Sequence, residues 1–120
     1  MIEVSPESEG NVLVFQATAK LTHQDYQDVL IPRSESVIKE HGKARLLLDM
    51  GEDFHGWEAA ALWDDIRFGI AHRSDFEKMG VIGGPRWVEW GLKLSAMVVS
   101  GEIRSFSPGE HEAALNWIKV

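Results

Sequence analysis

The sequence predicts an α/β domain: a mixed, mostly parallel sheet of about five strands with four main helices packed on it. Two observations lead to this fold class. The first two β-rich stretches are separated only by a short polar turn, as in a hairpin. After them, short apolar stretches alternate with longer helical patterns, the order that gives parallel strands joined by crossover helices. The predicted order of elements is therefore ββαβαβαβα.

Size and composition predict the number of domains, the cellular location and the kinds of partner that are disfavoured. A chain of 120 residues holds one core and is too short for two, so we expect a single domain over residues 1–120. No apolar run approaches the length of a membrane span. The chain has no cysteine and no recognisable secretory signal, which favours a cytoplasmic location. A net charge of −7 argues against nucleic acid and anionic membranes as partners.

The opening elements follow from local signals. Met1–Val4 and Val12–Ala19 are predicted as the hairpin strands, and the second strand has apolar residues on both faces. Thr22 is a predicted helix N-cap, with Asp25 in the position of a capping-box acid. The helix that follows meets Pro32, which either kinks it or begins a second segment.

This second segment is predicted to end at His41, because Gly42 suits the left-handed position after a helix. Arg45–Met50 then has the continuous apolar run of a central parallel strand that is covered on both faces. The next predicted strand is Lys78–Gly83, which follows a long helix.

The last third of the chain continues the alternation. A helix is predicted from Pro85 to about Met97, and Gly101–Phe106 is predicted as the final strand. Pro108 begins the last helix, since proline is well tolerated in a first turn.

The longest helical pattern is Trp57–Arg73, and it carries apolar residues on two sides. One stripe is expected to pack on the sheet: Ala59, Leu62, Trp63, Ile66 and Ile70. A smaller group lies almost opposite: Trp57, Ala61, Phe68 and Ala71. The second group is explained by cover from the chain itself, by a homodimer or partner interface, or by the wall of a ligand site.

A partner-binding site is predicted around this second group and the loop before it. Tryptophan and phenylalanine are frequent anchors of protein interfaces. In α/β folds, the loop after a central strand is a common place for ligands and partners. The predicted site consists of Asp53, Phe54, His55, Trp57, Asp64, Phe68 and His72.

A possible ligand pocket is predicted beside the helix that begins at Pro85. Its large apolar residues recur at helical spacing, so they form either core or the wall of a cavity. An arginine at the start of this helix, after a Gly-Gly-Pro turn, is placed to bind an anion with backbone N–H groups. The predicted pocket consists of Trp63, Arg86, Trp87, Trp90 and Leu94.

The chain shows no recognisable catalytic constellation. The densest group of potential metal ligands is Asp49, Glu52, Asp53 and His55, and its spacing matches neither an EF-hand nor HExxH. There is no GxSxG motif and no glycine pattern typical of nucleotide binding. We therefore expect no catalytic residues, no metal, no cofactor and no enzymatic activity.

Three longer strings resemble a known family: LTHQDYQDVLIP at 21–32, HGKARLLLDM at 41–50, and FHGWEAAALWDDIRFGIAHRSDFEKMGVIGGPRW at 54–87. With the order of elements, they make the chain similar to the small bacterial SpoIIAA-like proteins, within the STAS (sulfate transporter and anti-sigma factor antagonist) fold. The resemblance covers nearly the whole chain and implies the same mixed sheet.

The resemblance implies a non-enzymatic module that binds a protein partner or a second copy of itself. In anti-sigma antagonists of this fold, a partner kinase phosphorylates a serine at the start of the helix after the central strand. Residues 54–59 correspond to that place and contain no serine or threonine, so we expect this switch to be absent. The fold is also distantly similar to CRAL-TRIO lipid carriers, which implies the alternative of a carrier for a small apolar ligand.

Overall fold

A five-stranded mixed sheet lies at the centre of the computed structural model, which describes residues 1–84, 93 and 100–120. Its spatial order is β1-β2-β4-β6-β7; β1 runs antiparallel to β2, and the other neighbours are parallel. The strands in chain order are β1 Ile2–Val4, β2 Val12–Ala17, β3 Lys20–Leu21, β4 Ala44–Met50, β5 Gly56–Trp57, β6 Phe76–Ile82 and β7 Glu102–Phe106. The predicted mixed, mostly parallel sheet and its opening hairpin are confirmed.

Three helices of nine or more residues accompany the sheet in the part of the chain that is described. The helical elements are α1 His23–Asp25, a π-helix Tyr26–Leu30, α2 Ile31–His41, α3 Ala59–Ala71, a 3₁₀ turn Pro108–Glu110 and α4 His111–Lys119. The prediction of four main helices is therefore corrected to three within these residues. The predicted helix from Pro85 to about Met97 lies outside them.

The helices cover the sheet on both faces. One cluster joins β2 and β4 to the π-helix, α2 and α3 through residues such as Phe15, Leu48 and Tyr26. A second cluster joins Val14 and Leu47 to helix α4 on the opposite face. Both β2 and β4 are buried on two sides, as their continuous apolar patterns predicted.

The first helical region is continuous from His23 to His41. The Thr22 hydroxyl accepts from the Asp25 backbone N–H at 3.1 Å, and the Asp25 carboxylate accepts from the Thr22 N–H at 2.9 Å. This reciprocal pair confirms the predicted capping box. The interruption expected at Pro32 takes the form of the π-helix before it, and Gly42 ends the region with φ of 82°.

Two short strands were not predicted. Lys20 pairs with Gly56 and Leu21 with Trp57 in a parallel arrangement, and the Glu58 N–H donates to the Leu21 carbonyl at 2.8 Å. This pairing holds Trp57 in extended backbone. Helix α3 therefore begins at Ala59, two residues later than the sequence predicted.

Candidate functional site

Helix α3 packs on the domain with the face opposite to the one predicted. Ala61, Asp64 and Phe68 are buried, and the Phe68 ring lies edge-on to Phe76 with centroids 5.7 Å apart. The predicted inner stripe is exposed instead, with exposed fractions of 38% for Leu62, 62% for Trp63, 50% for Ile66 and 49% for Ile70. The assignment of the two faces from the sequence is therefore wrong.

Polar contacts explain why the less apolar face turns inward. The buried Asp64 carboxylate lies 2.5 Å from the His23 ring nitrogen Nδ1 and 3.6 Å from the Arg67 guanidinium. A buried carboxylate is costly unless it is paired. Because His23 precedes the π-helix, this pair fixes α3 against that helical region.

A second polar link joins the same two elements. The Tyr26 hydroxyl donates to Asp65 Oδ1 at 2.9 Å and accepts from the Trp57 indole N–H at 2.9 Å. Burial raises the pKa of the Tyr26 phenol well above its ordinary value, and the Asp65 charge raises it further. The phenol therefore remains a proton donor to Asp65 at neutral pH.

An open groove of about 470 Å³ lies along this junction, between the first helical region and α3. Its lining combines polar side chains, such as His23, Glu35, Asp64 and Arg67, with the apolar side chains of Ile31, Phe68 and Ala71. At the far end, His72 lies with Nδ1 2.8 Å from Asp75 and Nε2 3.4 Å from Glu35. The polar side chains of the groove thus already pair with one another, and apolar side chains supply much of its remaining surface.

The predicted partner-binding residues do not form one outer surface. Of the seven, only Asp53 and His55 are exposed, both in the loop between β4 and β5. Trp57 and His72 are half-buried. The remaining three are buried: Phe54, Asp64 and Phe68. Their expected placement on an outer apolar stripe is corrected by the orientation of α3.

Phe54 and Trp57 pack together beneath this loop. Their rings meet edge to face, with centroids 5.1 Å apart. Both rings thus belong to the packing between the loop and the core, which places the anchors expected for a partner inside the domain.

The predicted ligand pocket is described at one residue only. Trp63 is exposed on α3 rather than enclosed in a cavity. Arg86, Trp87, Trp90 and Leu94 lie outside the described residues. The pocket remains a prediction.

The acidic residues that follow β4 do not converge. Asp49 faces helix α4, where its carboxylate lies 3.2 Å from His111 Nδ1, and the other ring nitrogen of His111 lies 3.0 Å from Glu7. Glu52, Asp53 and His55 are exposed in the loop. Within the described residues, no group of three or more histidine and acidic side chains is arranged to hold a metal ion.

The apolar residues turned outward on α3 form the most distinctive surface of the described chain. We call Leu62, Trp63, Ile66 and Ile70 the α3 face. They follow the three- and four-residue spacing of one helix side and therefore form a continuous strip. Exposed apolar patches of roughly 300–600 Å² are often functional. This strip is the best candidate for a binding site.

Sequence reasoning identified this strip but assigned it to the core. The deciding contacts join α3 to the first helical region. His23 lies 41 residues before its partner Asp64, and Tyr26 lies 39 residues before its partner Asp65. No local pattern links residues so far apart. A possible signal was Asp64, since a carboxylate on the buried side of a helix needs a specific partner.

Comparisons with known proteins place the fold in a family. The sequence model of the SpoIIAA-like family matches residues 12–119. A similar solved structure is an uncharacterised protein of the DUF3478 family, with a SpoIIAA-like fold, from Shewanella loihica PV-4. It is 28% identical, has a TM-score of 0.75, and the match covers 98% of this chain and 93% of that one. No curated protein matches the sequence. This chain belongs to the SpoIIAA-like family, which has a STAS-like fold.

Proposed function

We propose that this chain is a non-enzymatic STAS-like interaction module that binds a protein partner through the α3 face. One observation carries the proposal. Leu62, Trp63, Ile66 and Ile70 are exposed together on one side of a helix whose opposite side is packed in the core. Large apolar side chains on a stable helix provide the preformed surface that a partner helix or groove can cover.

The composition of α3 favours a protein over a membrane surface. Trp63 is more than half exposed, and tryptophan is enriched among interface residues that dominate binding energy. Helices that lie on membranes usually have a polar side rich in lysine and arginine. Helix α3 has Asp64, Asp65 and Arg67 as its charged residues, and the chain carries a net charge of −7. Among the described residues, we find no helix with the length and hydropathy of a membrane span.

We propose that binding is not switched by phosphorylation before α3. Residues 54–59 offer no hydroxyl side chain for a kinase. In that stretch Phe54 is buried, and the Glu58 carboxylate accepts from the His23 backbone N–H at 3.1 Å. These contacts hold α3 in place without a modification. We propose the cytoplasm as the location. The chain has no cysteine and so forms no disulfide that would require an oxidising compartment.

Site-specific photo-crosslinking in cells tests the interaction. A photoreactive aromatic amino acid at position 63 is expected to form an adduct with a protein, because Trp63 lies on the α3 face. The same group at Glu112, which is exposed on α4 across the sheet, is the matched control. We expect the adduct at position 63 only, and we expect Ile66→Glu in the same chain to abolish it.

Two results would overturn the proposal. One is the absence of any protein adduct at position 63. The other is an adduct that persists unchanged in the Ile66→Glu variant, since a charge buried in an apolar contact should weaken it strongly.

A carrier of a small apolar molecule is the second candidate function. The observation that favours it is the same exposed strip, since Trp63 could also form one wall of an apolar site. Native mass spectrometry of the freshly purified protein separates the two. A discrete extra mass that is retained by the wild-type chain and lost in Ile66→Glu would support the carrier; a protein without added mass would argue against it.

A further inference from the structure

We infer that the partner of the α3 face is a second copy of this chain, with the two α3 helices side by side and parallel across a two-fold axis. This inference rests on the proposed function and names its partner. Three features of α3 support it: a glycine that the fold does not require, charges of opposite sign on the two edges of the strip, and the area of the strip.

Nothing in the described part of the fold requires a glycine at position 69, which lies inside α3. A Cβ added there would meet no described atom within 4 Å, and its backbone does not have the positive φ that favours glycine. Glycine inside a helix is less favourable than alanine. Close approach of another helix explains this glycine, because the absence of a side chain lets a neighbouring backbone and its side chains come near.

Gly69 also borders the α3 face at the right place. On the helix it adjoins Ile66 and lies on the opposite side of the strip from Ile70. Consider a parallel pair whose two-fold axis runs along the helices, midway between the two Ile66 side chains. In this pair, Ile70 of each copy faces Gly69 of the other. The large side chain fills the space that the small residue leaves.

The charges select the parallel arrangement. Asp65 and Arg67 are both exposed and flank Ile66 on opposite edges of the strip. Within its own chain, Asp65 also accepts from Tyr26, and Arg67 also lies 3.6 Å from Asp64. The Arg67 side chain is 72% exposed. In a parallel pair, the Asp65 edge of one copy meets the Arg67 edge of the other, twice by symmetry. In an antiparallel pair, each edge would meet the same edge of the second copy, so that Asp65 would face Asp65 and Arg67 would face Arg67.

The area of the strip predicts a dimer that dissociates on dilution. The α3 face exposes on the order of 400 Å² of side chain, given the sizes of tryptophan, leucine and isoleucine. A standard stable interface takes about 800 Å² from each partner. The strip therefore supplies about half of that area, and the edges of α3 must supply the rest.

Sedimentation velocity of the purified chain over a wide concentration range tests the inference. We expect a monomer at low concentration and a dimer at high concentration. Gly69→Gln should raise the dissociation constant at least tenfold, because its side chain would occupy the space of Ile70 from the second copy. Ala113→Gln is the matched control: this exposed alanine lies on α4, on the opposite face of the sheet, and the constant should not change.

Two further variants separate folding from association and fix the orientation. Gly69→Ala should raise the thermal midpoint of the dilute monomer, since alanine is the better helix former, and should still weaken the dimer. Arg67→Glu should weaken the dimer more than Arg67→Gln, because the new carboxylate faces Asp65 of the second copy. Since Arg67 also lies 3.6 Å from Asp64 of its own chain, the thermal midpoint of each dilute monomer is measured alongside.

The outcomes distinguish this inference from the proposed function. A chain that stays monomeric at every concentration, while position 63 still crosslinks to another protein, overturns the second copy as partner and leaves the interaction module standing. A dimer that is unchanged by Gly69→Gln uses another surface, which overturns the inference. A dimer weakened by Gly69→Gln and unaffected by Arg67→Glu overturns the parallel arrangement.

Discussion

At the scale of single residues, Tyr26 connects three parts of the chain. Its ring is buried, and its hydroxyl joins the Trp57 indole to the Asp65 carboxylate. The aromatic body contributes apolar burial, while the hydroxyl keeps its hydrogen bonds in the interior. This combination holds the first helical region against α3 and thereby sets which side of α3 faces outward.

Tyr26 is the only tyrosine, so its ionisation can be followed directly. The phenol pKa in the folded chain is raised by burial above the value of about 10 expected when unfolded. The stability that Tyr26 contributes is therefore fully present below about pH 10 and is lost as pH rises through the higher folded pKa. We expect ultraviolet difference absorbance to show phenolate only as the chain unfolds.

The control for this titration is Tyr26→Phe, which should give no phenolate signal at any pH. Circular dichroism at each pH reports whether the chain is folded. A phenolate signal that rises near pH 10, in a chain whose circular dichroism is still native, would show that Tyr26 is not buried.

At the scale of elements, α3 illustrates how partners override hydrophobic patterning. Its outward side carries more large apolar residues than its inward side, which contains Asp64. The inward side is selected because His23 pairs with Asp64 and because Phe68 fills the space beside Phe76. Substitutions on the inward side should therefore lower the free energy of unfolding more than substitutions on the outward side, which is the reverse of what the pattern alone predicted.

Alanine substitutions measure these roles. Phe68→Ala should lower the free energy of unfolding by about 3–5 kcal/mol, because it removes a buried ring and leaves a cavity. Trp63→Ala, on the exposed side, should change it by no more than about 0.5 kcal/mol in the monomer. Urea denaturation of both variants at low protein concentration makes the comparison. A larger loss for Trp63→Ala than for Phe68→Ala would contradict the orientation of α3.

At the scale of the whole molecule, the fold is three layers whose separation depends on small residues. Gly80 lies in β6 where helix α4 crosses the sheet. A Cβ at this position would lie 2.9 Å from the Trp117 ring and 3.1 Å from the Leu47 side chain. The Lys78 ammonium also donates to the Trp117 carbonyl at 2.8 Å, which ties the end of α4 to the same strand.

Gly80→Ala should therefore push α4 away from the sheet. We expect a loss of about 1–3 kcal/mol in the free energy of unfolding, typical of an overpacked core. Gly109→Ala is the control, because a Cβ there meets no described atom within 4 Å. The midpoints of urea denaturation compare the two. Equal midpoints for Gly80→Ala and the wild type would show that the layers have room to adjust.

Much of the fold could be predicted because it depends on local signals. The apolar runs of β2 and β4, the Thr22 capping box and the glycine at position 42 all act within a few residues of where they occur. The short pairing of β3 with β5 could not be predicted, since each strand has two residues and their contact joins distant segments. The candidate site was missed for the same reason.

The sequence by itself determined the order along the chain of the five strands of the central sheet, the two-sided burial of the central strands and membership of the SpoIIAA-like family. These properties follow from periodicity and from motifs that are contiguous in the chain. Only the tertiary structure decided which side of α3 is exposed. A helical pattern ranks the sides of a helix by apolarity, but the side that is buried is the one whose polar and apolar groups both find partners, and for α3 those partners are His23, Tyr26 and Phe76.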